Sequence, residues 1–596
     1  MTTRATRSPR RRTVVALAVV LAVLGAFVVR LVDIQVVRAD EHVEDSRKTG
    51  NLGSTQPVAG NRGDIVDENG TVLASSKLVY DAVLDPKLIV TMEKDPKKAP
   101  KMLWSEASEK IAAITGQTPE QVRKIAADKY AENPESQWAP LKEGLSTEQY
   151  LELKDLGIAP RLSMTSRAVR VYPNGAVGGN LVGFVNSNGA GYGVEKMEAQ
   201  CLAPRNGERT YLRGKNGVIV PGSDRETPAV DGGTVKLTID SDLEWYLSQM
   251  IAEEAKQQGA KSATATVVEV KTGKIRAAAQ YPALDPNNVD GTPMNYWRSQ
   301  IFSHTYEPGS TFKPVTAATL IEEGAVTPSS VVTAKSRERF PNGANIGDAF
   351  PHPLYHYTLA GALIDSSNVA LSKFGSKVSP QVRYDYLKKF GVGTPTAIDF
   401  PGQETGGVRN PSVKPWDAQS LYATTFGQAF EVTPIQVASA YQTLANGGEH
   451  IDLSLVESCT DRDGVEHTTD VKKNRVVSPD TAAQVRRMLE NVAVQGGLSE
   501  RVKVPGYRIG IKTGTAEVAN GKGGYKSGLY YTSILGVAPI EDPQYVVMIT
   551  MEEPTRITSS AATAPALQKA LTQVLKTYRV APSSKPMEAP LPKFGE

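Results

Sequence analysis

The 596 residues of this chain are too many for one ordinary domain, so about two to four domains are expected. Apolar residues make up 40% of the sequence and charged residues 22%, a balance that excludes a disordered chain. The formal net charge is only +3, and no basic stripe interleaved with aromatic residues follows the first residues, which argues against nucleic-acid binding.

Cysteine and histidine usage gives no support for a metal site. The two cysteines, Cys201 and Cys459, are far apart in the sequence and could pair only if the fold brought them together. We therefore expect two free cysteines. The motifs CxxC and HExxH are absent, and the six histidines are scattered. Neither a metal ion nor an organic cofactor is predicted.

The first predicted element is a membrane anchor. An apolar run begins at Thr13 and can extend to Val32, because Arg30 can reach the membrane interface. Arginines before the run and mixed charge after it predict a cytoplasmic basic tail over 1–12, a single span over 13–32 and an extracytoplasmic remainder. A cleaved signal peptide is the competing interpretation, and the lack of a good cleavage site disfavours it. The arginines are Arg4, Arg7, Arg10, Arg11 and Arg12.

A separate domain is predicted over 33–230. Asn69-Gly70 between apolar alternations is a hairpin signal. The stretch from Asp95 to Gly157 is rich in Ala, Lys and Glu and predicts helices. Their expected starts are Thr118-Pro119-Glu120 and Ser146-Thr147-Glu148.

A second large domain is predicted over 235–578. Before it, Gly-rich turns and short strands are expected in the first domain from Ser166 to Gly222, and Val230 to Thr234 has the composition of a linker between the two domains. Strands and helices then alternate, and the Pro- and Ser-rich stretch 579–596 is predicted to be a loose tail. The first predicted elements after the linker are a strand, a helix and a strand, over Val235–Asp240, Leu243–Gln258 and Thr264–Val270.

Ser310 and Lys313 are the candidate nucleophile and base. Pro308-Gly309 breaks the preceding structure and a helical pattern follows, so both residues are expected on one face at a helix N-terminus. Pro314 fits the first turn of that helix. A serine hydroxyl needs a neighbour to take its proton, and lysine can do so when burial or a second cation keeps it neutral. The Ser-x-x-Lys pattern occurs only here.

The second candidate motif is Ser366-Ser367-Asn368, which holds the only Ser-x-Asn pattern in the chain. It follows the apolar run from Leu359 to Ile364. Ser366 offers a hydroxyl that can relay a proton, and Asn368 offers an amide that can hold a substrate amide and the lysine. Taken alone, the motif would be interpreted as a simple polar cap.

The third candidate motif is Lys-Thr-Gly, which begins at Lys48, Lys271 and Lys512. Lys48 lies near the membrane and Lys271 in a hairpin turn, whereas Lys512 ends the strand-like run from Tyr507 to Ile511. We therefore select Lys512, which would lower the pKa of Lys313 as a second cation. The three motifs in this order are typical of penicillin-binding proteins and class A β-lactamases. The predicted substrate-binding residues are Thr513 and Thr515, for a carboxylate, and Gly514, for close approach of the substrate backbone.

With these motifs, the chain resembles the class B penicillin-binding proteins over nearly its whole length. Arg62 to Gly70 is similar to the motif that opens their membrane-proximal pedestal. Arg170 to Gly175 and Gly191 to Glu195 resemble its later landmarks. Thr425 to Gln428 and Val432 to Gln436 resemble landmarks between the second and third catalytic motifs.

The resemblance implies an α+β chain with an N-terminal transmembrane helix, an elongated pedestal domain and a C-terminal transpeptidase domain of the serine β-lactamase-like type. It implies that Ser310 attacks the D-Ala-D-Ala end of a peptidoglycan stem peptide and passes the acyl group to an amine of a neighbouring stem. The backbone N–H groups of Ser310 and Thr515 would hold the oxyanion, and β-lactams would acylate the same serine. Ile511 departs from the glycine that often precedes Lys-Thr-Gly in this family.

The resemblance also implies a membrane glycan polymerase and divisome proteins as partners. The single short anchor, the stretch Leu31 to Gln35 and the compact pedestal favour the division-specific, FtsI-like branch. An elongation-specific enzyme is the alternative within the family.

Other functions fit the sequence less well. A class A β-lactamase needs a glutamate that activates water, and only Glu404 lies between Asn368 and Gln428. A D,D-carboxypeptidase is disfavoured by the long pedestal, and a non-catalytic β-lactam-binding scaffold by the presence of every catalytic residue. A Ser-His-Asp hydrolase would need His304, which the helix pitch does not align with Ser310.

Overall fold

The structure is a computed structural model that describes residues 9–33, 37–38, 54–94, 102–186, 189–212, 222–520 and 524–595. Residues 1–8 of the predicted basic tail and the Lys48 motif lie outside the described residues. The strands are β1 (Ser54–Val58), β2 (Ile65–Val66), β3 (Val72–Leu84), β4 (Ala139–Leu145), β5 (Leu162–Val171), β6 (Val185–Asn186), β7 (Gly189–Ala190), β8 (Gly207–Tyr211), β9 (Arg225–Thr227), β10 (Thr234–Leu237), β11 (Ser262–Glu269), β12 (Ile275–Tyr281), β13 (Val331–Ala334), β14 (Arg337–Arg339), β15 (Asn345–Gly347), β16 (Tyr355–Thr358), β17 (Glu449–Ile451), β18 (Val456–Thr460), β19 (Glu466–Thr468), β20 (Lys473–Arg475), β21 (Gly510–Ala519), β22 (Tyr525–Ala538) and β23 (Tyr545–Glu552).

The α-helices follow the same chain order. They are α1 (Pro9–Val32), α2 (Pro86–Lys94), α3 (Trp104–Thr115), α4 (Pro119–Glu132), α5 (Thr147–Asp155), α6 (Gly179–Val182), α7 (Gly193–Met197), α8 (Ala199–Leu202), α9 (Ser241–Gln258), α10 (Gln300–Ser303), α11 (Lys313–Glu322), α12 (Leu359–Ile364), α13 (Asn368–Gly375), α14 (Pro380–Lys389), α15 (Ser420–Ala423), α16 (Pro434–Ala445), α17 (Pro479–Gln495), α18 (Ser499–Val502) and α19 (Ala564–Thr577).

The chain forms two compact units. The first combines the chain up to Asn61 with Pro204–Asp231, and the second combines Arg62–Ala203 with Gly232–Glu596. In the first unit, β1, β8 and β9 form an antiparallel sheet, and Thr13–Val32 of α1 is long and apolar enough to cross a membrane. The apolar side chains of this helix are exposed, which suits lipid surroundings rather than water.

The second unit opens with the predicted hairpin. β2 and β3 pair antiparallel around Asn69-Gly70, where Gly70 takes a φ of +86°. The predicted helix starts are confirmed, because Thr118 and Ser146 each form a capping box with the glutamine three residues on. Together with α2, helices α3 to α5 surround a small core of their own that includes Ile111 and Leu153.

One part of the predicted helical stretch is wrong. Residues Ala139–Leu145 form the strand β4, which pairs antiparallel with β3. Its charged residues, Lys142 and Glu143, gave the segment a helical composition. The pairing with a strand from Val72 onward outweighs that local preference, since strand propensity depends strongly on the neighbouring strands.

A seven-stranded sheet crosses the predicted boundary between the two large domains. Its strands lie in the order β19-β18-β10-β2-β3-β4, with β5 also paired to β3. β10 pairs in parallel with β2 through Val235 and Ile65. The glycines of the predicted linker are closely packed here: a Cβ on Gly63 would lie 1.7 Å from the Gly233 carbonyl oxygen.

The expectation of two free cysteines is wrong. Cys201, at α8, and Cys459, on β18, form a disulfide. β18 pairs with β10 through Cys459 and Val235, and the Gly233 amide donates to the Cys201 carbonyl oxygen at 2.9 Å. The packing around β10 therefore brings together two residues separated by 258 positions, which no sequence pattern shows.

The catalytic motifs lie around an antiparallel five-stranded sheet of order β12-β11-β23-β22-β21. β11, β23 and the second half of β22 are buried along their length, so helices cover both faces of the sheet. Helices α9 and α19 pack against it, as do α16 and α17. The predicted helix after the linker is confirmed as α9, whose N-cap Asp240 accepts from the Leu243 amide.

The prediction of a loose C-terminal tail is also wrong. The side chain of Leu591 is buried, and its amide donates to Asn491 Oδ1 at 2.8 Å. Phe594 lies against the rings of Tyr355 and Tyr357. A Pro-rich composition does not prevent a segment from packing when its backbone finds partners on neighbouring elements.

Candidate active site

Ser310 lies on a tight turn that leads directly into a helix. The turn is a single 3-10 stretch over Gly309–Phe312, and α11 begins at Lys313 with Pro314 in its first turn. The Gly309 amide donates to the Gly427 carbonyl oxygen at 2.8 Å. Gly427 itself takes a φ of +88°, and a Cβ there would lie 1.9 Å from the Gly309 carbonyl oxygen. The Thr425–Gln428 segment therefore holds the turn that carries Ser310.

The structure brings the two predicted lysines to one hydroxyl. Lys313 Nζ lies 3.1 Å from Ser366 Oγ, and Lys512 Nζ lies 3.0 Å from the same oxygen. Lys313 Nζ also donates to the Ser366 carbonyl oxygen. Both lysines are fully buried. Residues from the three separate motifs thus share one hydrogen-bonded cluster.

Burial changes the protonation of both lysines. Loss of solvation holds the pKa of Lys313 well below its usual value, Lys512 lowers it further, and the negative charge of Asp348 opposes the shift. Burial lowers the pKa of Lys512 to about 7. An amine that is neutral near neutral pH can accept a proton from a serine, which an ordinary surface lysine cannot do.

Ser366 takes an unusual backbone conformation. Its φ of +57° is in the left-handed region, which costs a residue with a side chain about 1–3 kcal/mol unless the surroundings hold it. The residue lies between the end of α12 and the start of α13. In this conformation, both the hydroxyl and the carbonyl oxygen of Ser366 contact Lys313 Nζ.

Asp348 is a site residue that sequence reasoning missed. Its Oδ1 accepts from the amides of Asn368 and Val369 at 2.6 and 3.0 Å, and its Oδ2 accepts from Ser367 Oγ at 2.8 Å. His352 Nε2 lies 2.8 Å from the same Oδ2. No local motif marks Asp348, because the segment that it holds lies 20 residues further along the chain.

The third motif lies on β21, at the edge of the five-stranded sheet. Lys512 and Gly514 face the interior, whereas Thr515 and Glu517 are exposed. A Cβ on Gly514 would lie 2.6 Å from Ser533 Oγ and 2.8 Å from the Thr311 methyl carbon. Glycine is therefore required here by packing beneath the Ser310 turn, a reason that differs from the predicted approach of substrate backbone.

A cleft of about 220 Å³ opens above these groups. Its polar lining suits a peptide, whose amides need hydrogen-bonding partners when they leave water. The Asn368 side chain donates from Nδ2 to the Gly347 carbonyl oxygen at 3.0 Å. The lining residues are Gly309, Ser310, Asn345, Ile346, Gly347, Asn368, Gln419, Phe426, Gln428, Thr515 and Glu517.

Of the remaining sequence candidates, Thr515 lines the cleft, whereas the others lie outside its lining. His304 stacks against Tyr531 with ring centroids 5.0 Å apart, and burial lowers its pKa. Lys271 lies in the turn between β11 and β12. Ile511, the departure from the family pattern, is buried in the core. Thr513 is half-buried on β21, and Thr515 Oγ1 accepts from the Ser560 amide at 3.1 Å.

Two known sequence families match this chain. The family described as the penicillin binding protein transpeptidase domain matches residues 263–572. The family described as the penicillin-binding protein dimerisation domain matches residues 57–237. The two matches together include every residue of the cluster and of the cleft described above.

Named relatives are similar over most of their length. Penicillin-binding protein PbpB of Mycolicibacterium smegmatis is 31% identical, over 95% of this chain and 90% of that protein. Peptidoglycan D,D-transpeptidase FtsI of Escherichia coli is 28% identical, over 95% of this chain and 91% of that protein. Among solved structures, penicillin binding protein 3 of Mycobacterium tuberculosis, complexed with aztreonam, has a TM-score of 0.68 and 25% identity, over 91% of this chain and 100% of that chain.

Proposed function

This chain belongs to the class B penicillin-binding proteins, and from that premise we propose that it is a serine-type peptidoglycan D,D-transpeptidase with Ser310 as its nucleophile. The observation that carries the proposal is the cluster in which one hydroxyl, Ser366 Oγ, lies between two buried lysines beside the Ser310 turn. That arrangement offers a proton acceptor and a proton relay next to the motifs that place Ser310 and Asn368 in the lining of a polar cleft.

The proposed reaction uses each motif once. Ser310 Oγ bonds to the carbonyl carbon of the penultimate D-Ala while its proton passes to neutral Lys313. The bond to the terminal D-Ala then breaks, and the proton returns through Ser366 to the leaving amine. An amine from a neighbouring stem then attacks the acyl carbon. Its proton passes through Lys313 to Ser310 Oγ as the ester bond breaks, which frees Ser310.

Three further groups orient the substrate in this proposal. The charged form of Lys512, with Thr513 and Thr515, attracts the terminal carboxylate of the stem peptide. Asn368 faces the cleft and holds the substrate amide. Backbone N–H groups of Ser310 and Thr515 stabilise the oxyanion. The tight turn supplies the first of these N–H groups and the edge strand β21 supplies the second. β-Lactams acylate Ser310 in the same way, as expected from the β-lactam complexes of similar structures.

The cross-linking belongs to septal cell-wall synthesis in this proposal. The relatives named FtsI and PbpB support a division role, and a sporulation protein, stage V sporulation protein D of Bacillus subtilis, is 28% identical over 84% of this chain and 75% of that protein. The proposed partners are a membrane glycan polymerase and divisome proteins, contacted through the anchor and the pedestal.

The proposed location is the cell membrane, with the N-terminus in the cytoplasm and the catalytic part outside. Helix α1 supplies the single span in the described residues, and arginines precede it. The Cys201–Cys459 disulfide supports the orientation independently, because disulfides persist in oxidising compartments outside the cytoplasm.

Acylation of Ser310 is the decisive test. We would incubate the full-length chain in detergent with a fluorescent penicillin and locate the adduct by mass spectrometry. We expect a stable adduct on Ser310, no labelling of Ser310→Ala and normal labelling of Ser303→Ala, a control on the preceding helix. An adduct on another residue, or undiminished labelling of Ser310→Ala, would contradict the assignment.

The same experiment separates the alternatives. Rapid release of the adduct would favour a β-lactamase, and release of D-Ala from a stem peptide without cross-linked product would favour a carboxypeptidase.

Depletion of the protein in cells separates the two branches of the family. Filamentous or unseptated cells support the division role, whereas rounding or loss of growth zones supports elongation.

A further inference from the structure

The segment Leu591–Gly595, called the strap below, is joined through its backbone to the element that precedes the Ser366 motif. Thr358, the N-cap of α12, donates from Oγ1 to the Pro592 carbonyl oxygen at 2.6 Å and from its amide to the Lys593 carbonyl oxygen at 3.0 Å. The Gly595 amide donates to the His356 carbonyl oxygen at 2.8 Å. The strap therefore runs beside β16 and the start of α12.

The strap also packs tightly against α12 itself. A Cβ on Gly361 would lie only 1.8 Å from the Lys593 carbonyl oxygen, so glycine is needed for this approach. Lys593 Nζ lies 2.7 Å from Asp365 Oδ1. Asp365 immediately precedes Ser366, the residue with a φ of +57° whose hydroxyl contacts both buried lysines.

A second path leads from the strap to the other side of the motif. The Phe594 ring lies 4.5 Å from the Tyr355 ring, and Tyr355 stacks on His352 at 5.0 Å with nearly parallel rings. His352 Nε2 lies 2.8 Å from Asp348 Oδ2, and Asp348 holds the amides of Asn368 and Val369. The aromatic stack therefore ends at the carboxylate that fixes the start of α13.

We propose that Lys593 and Phe594 are positioning residues for acylation, and that the strap holds the Ser366–Asn368 motif in its reactive geometry from both sides. The inference rests on the proposed transpeptidase function, because it assigns a role in the same site. A strained residue such as Ser366 keeps its conformation only when its surroundings over-determine it. Lys593 acts on the residue before Ser366, and Phe594 acts through Tyr355, His352 and Asp348.

The test separates binding of a penicillin from the chemical step. With the full-length chain in detergent, stopped-flow measurements give the dissociation constant of the non-covalent complex and the first-order constant for acylation. We expect Lys593→Met and Phe594→Ala each to lower the first-order constant about 10-fold, since small misplacements of reacting groups slow chemistry more than binding. The dissociation constant should stay within about twofold of the parent value in both variants.

Two matched variants make the result specific. Lys593→Arg keeps the charge beside Asp365 and should recover most of the acylation rate. Lys585→Met removes an exposed lysine from the same tail that has no ion-pair partner among the described residues, and it should acylate like the parent. The thermal unfolding midpoint of every variant should stay within about 3 °C of the parent, because each change removes a partly exposed contact.

Two results would overturn the role of the strap. One is parent-like acylation in both Lys593→Met and Phe594→Ala. The other is a loss of rate that merely follows the fraction of unfolded protein measured by circular dichroism. The two proposals fail differently, because a parent chain that is not labelled at Ser310 overturns both, whereas a labelled parent with unaffected variants overturns only the strap.

Discussion

At the scale of single residues, the proposed chemistry depends on the charge state of two lysines that meet at one hydroxyl. Lys313 Nζ and Lys512 Nζ lie 3.1 and 3.0 Å from Ser366 Oγ, and two ammonium groups that share one partner in a buried site repel each other. In the proposed reaction, Lys313 is the neutral lysine that accepts the Ser310 proton, and Lys512 is the charged lysine that attracts the substrate carboxylate.

That arrangement predicts two limbs in the pH profile of acylation. With an anionic penicillin, the second-order rate constant should fall as pH rises through about 7, because Lys512 loses the charge that attracts the carboxylate. The rate constant should also fall as the pH is lowered into the acid range, because Lys313 then gains a proton and ceases to be a base. Stopped-flow fluorescence, recorded from pH 5 to pH 10 in steps of about one pH unit, measures both limbs.

An uncharged penicillin ester is the control for the alkaline limb. It lacks the carboxylate, so its rate constant should not fall through about pH 7. A rate constant that kept rising to pH 10 with the anionic penicillin would show that the lysines titrate near their ordinary range of about 10.4, contrary to the effect of burial.

The sequence was sufficient to name the groups that carry a local pattern, and insufficient for those that do not. Ser310 and Lys313 are one helical turn apart, so their proximity follows from helix geometry. Asp348 contacts the second motif through a loop that returns after 20 residues, and no periodicity predicts such a return. The left-handed φ of Ser366 is likewise a product of its contacts, because serine has no preference for it.

At the scale of elements, the Ser310 turn is held by a neighbouring backbone segment. That segment can approach the turn closely because residue 427 is a glycine. The Gly427 carbonyl oxygen accepts from the Gly309 amide, and the Thr425 carbonyl oxygen accepts from Thr316 Oγ1 on α11 at 2.8 Å. Tyr441 of α16 donates its hydroxyl to the Thr311 carbonyl oxygen at 2.7 Å. The turn is thus fixed on several sides before any substrate arrives, as catalytic preorganisation requires.

Gly427→Ala should therefore slow acylation more than it destabilises the fold. The added Cβ meets the Gly309 carbonyl oxygen at 1.9 Å, so the Ser310 turn must shift. We expect at least a roughly 10-fold lower acylation rate constant. The control is Gly447→Ala, which also has a positive φ, of +65°, but meets no atom within 4 Å. Equal acylation by both variants, at matched unfolding midpoints, would refute this reason for Gly427.

Element prediction succeeded where a local signal set the boundary. The helix starts at Thr118 and Ser146 follow from side-chain caps, and the β2–β3 hairpin follows from Asn69-Gly70. It failed at β4 and at the strap. Both lie where a distant partner supplies the backbone hydrogen bonds, and sequence composition cannot report such a partner.

At the scale of the whole molecule, one sheet and one disulfide connect the two sequence families that match the chain. Cys201 lies in the first match, over 57–237, and Cys459 in the second, over 263–572. A cross-link over 258 positions closes a long loop, which restricts the unfolded chain strongly. Its main effect should be on stability rather than on the reaction.

The double variant Cys201→Ser/Cys459→Ser should unfold about 2–5 kcal/mol more easily than the oxidised parent, because its unfolded chain is less restricted. Denaturant titration followed by tryptophan fluorescence measures the difference. The parent with a reducing agent serves as the control and should approach the double variant. The folded double variant should still acylate at close to the parent rate. An unchanged unfolding midpoint in both samples would argue against a stabilising role for the bond.

The parallel pairing of β2 with β10 has a consequence for biosynthesis. A chain emerges with its N-terminus first, and at about 5–20 residues per second β2 waits roughly ten seconds or more for its neighbour to be made. β18 is made later still, so the edge of the sheet stays open through much of translation. An open strand edge invites aggregation, which makes this interval a natural point for a chaperone to act. A truncation in the last third of the gene that removes β18 would therefore cause misfolding of the first third of the protein, which contains β2 and β3.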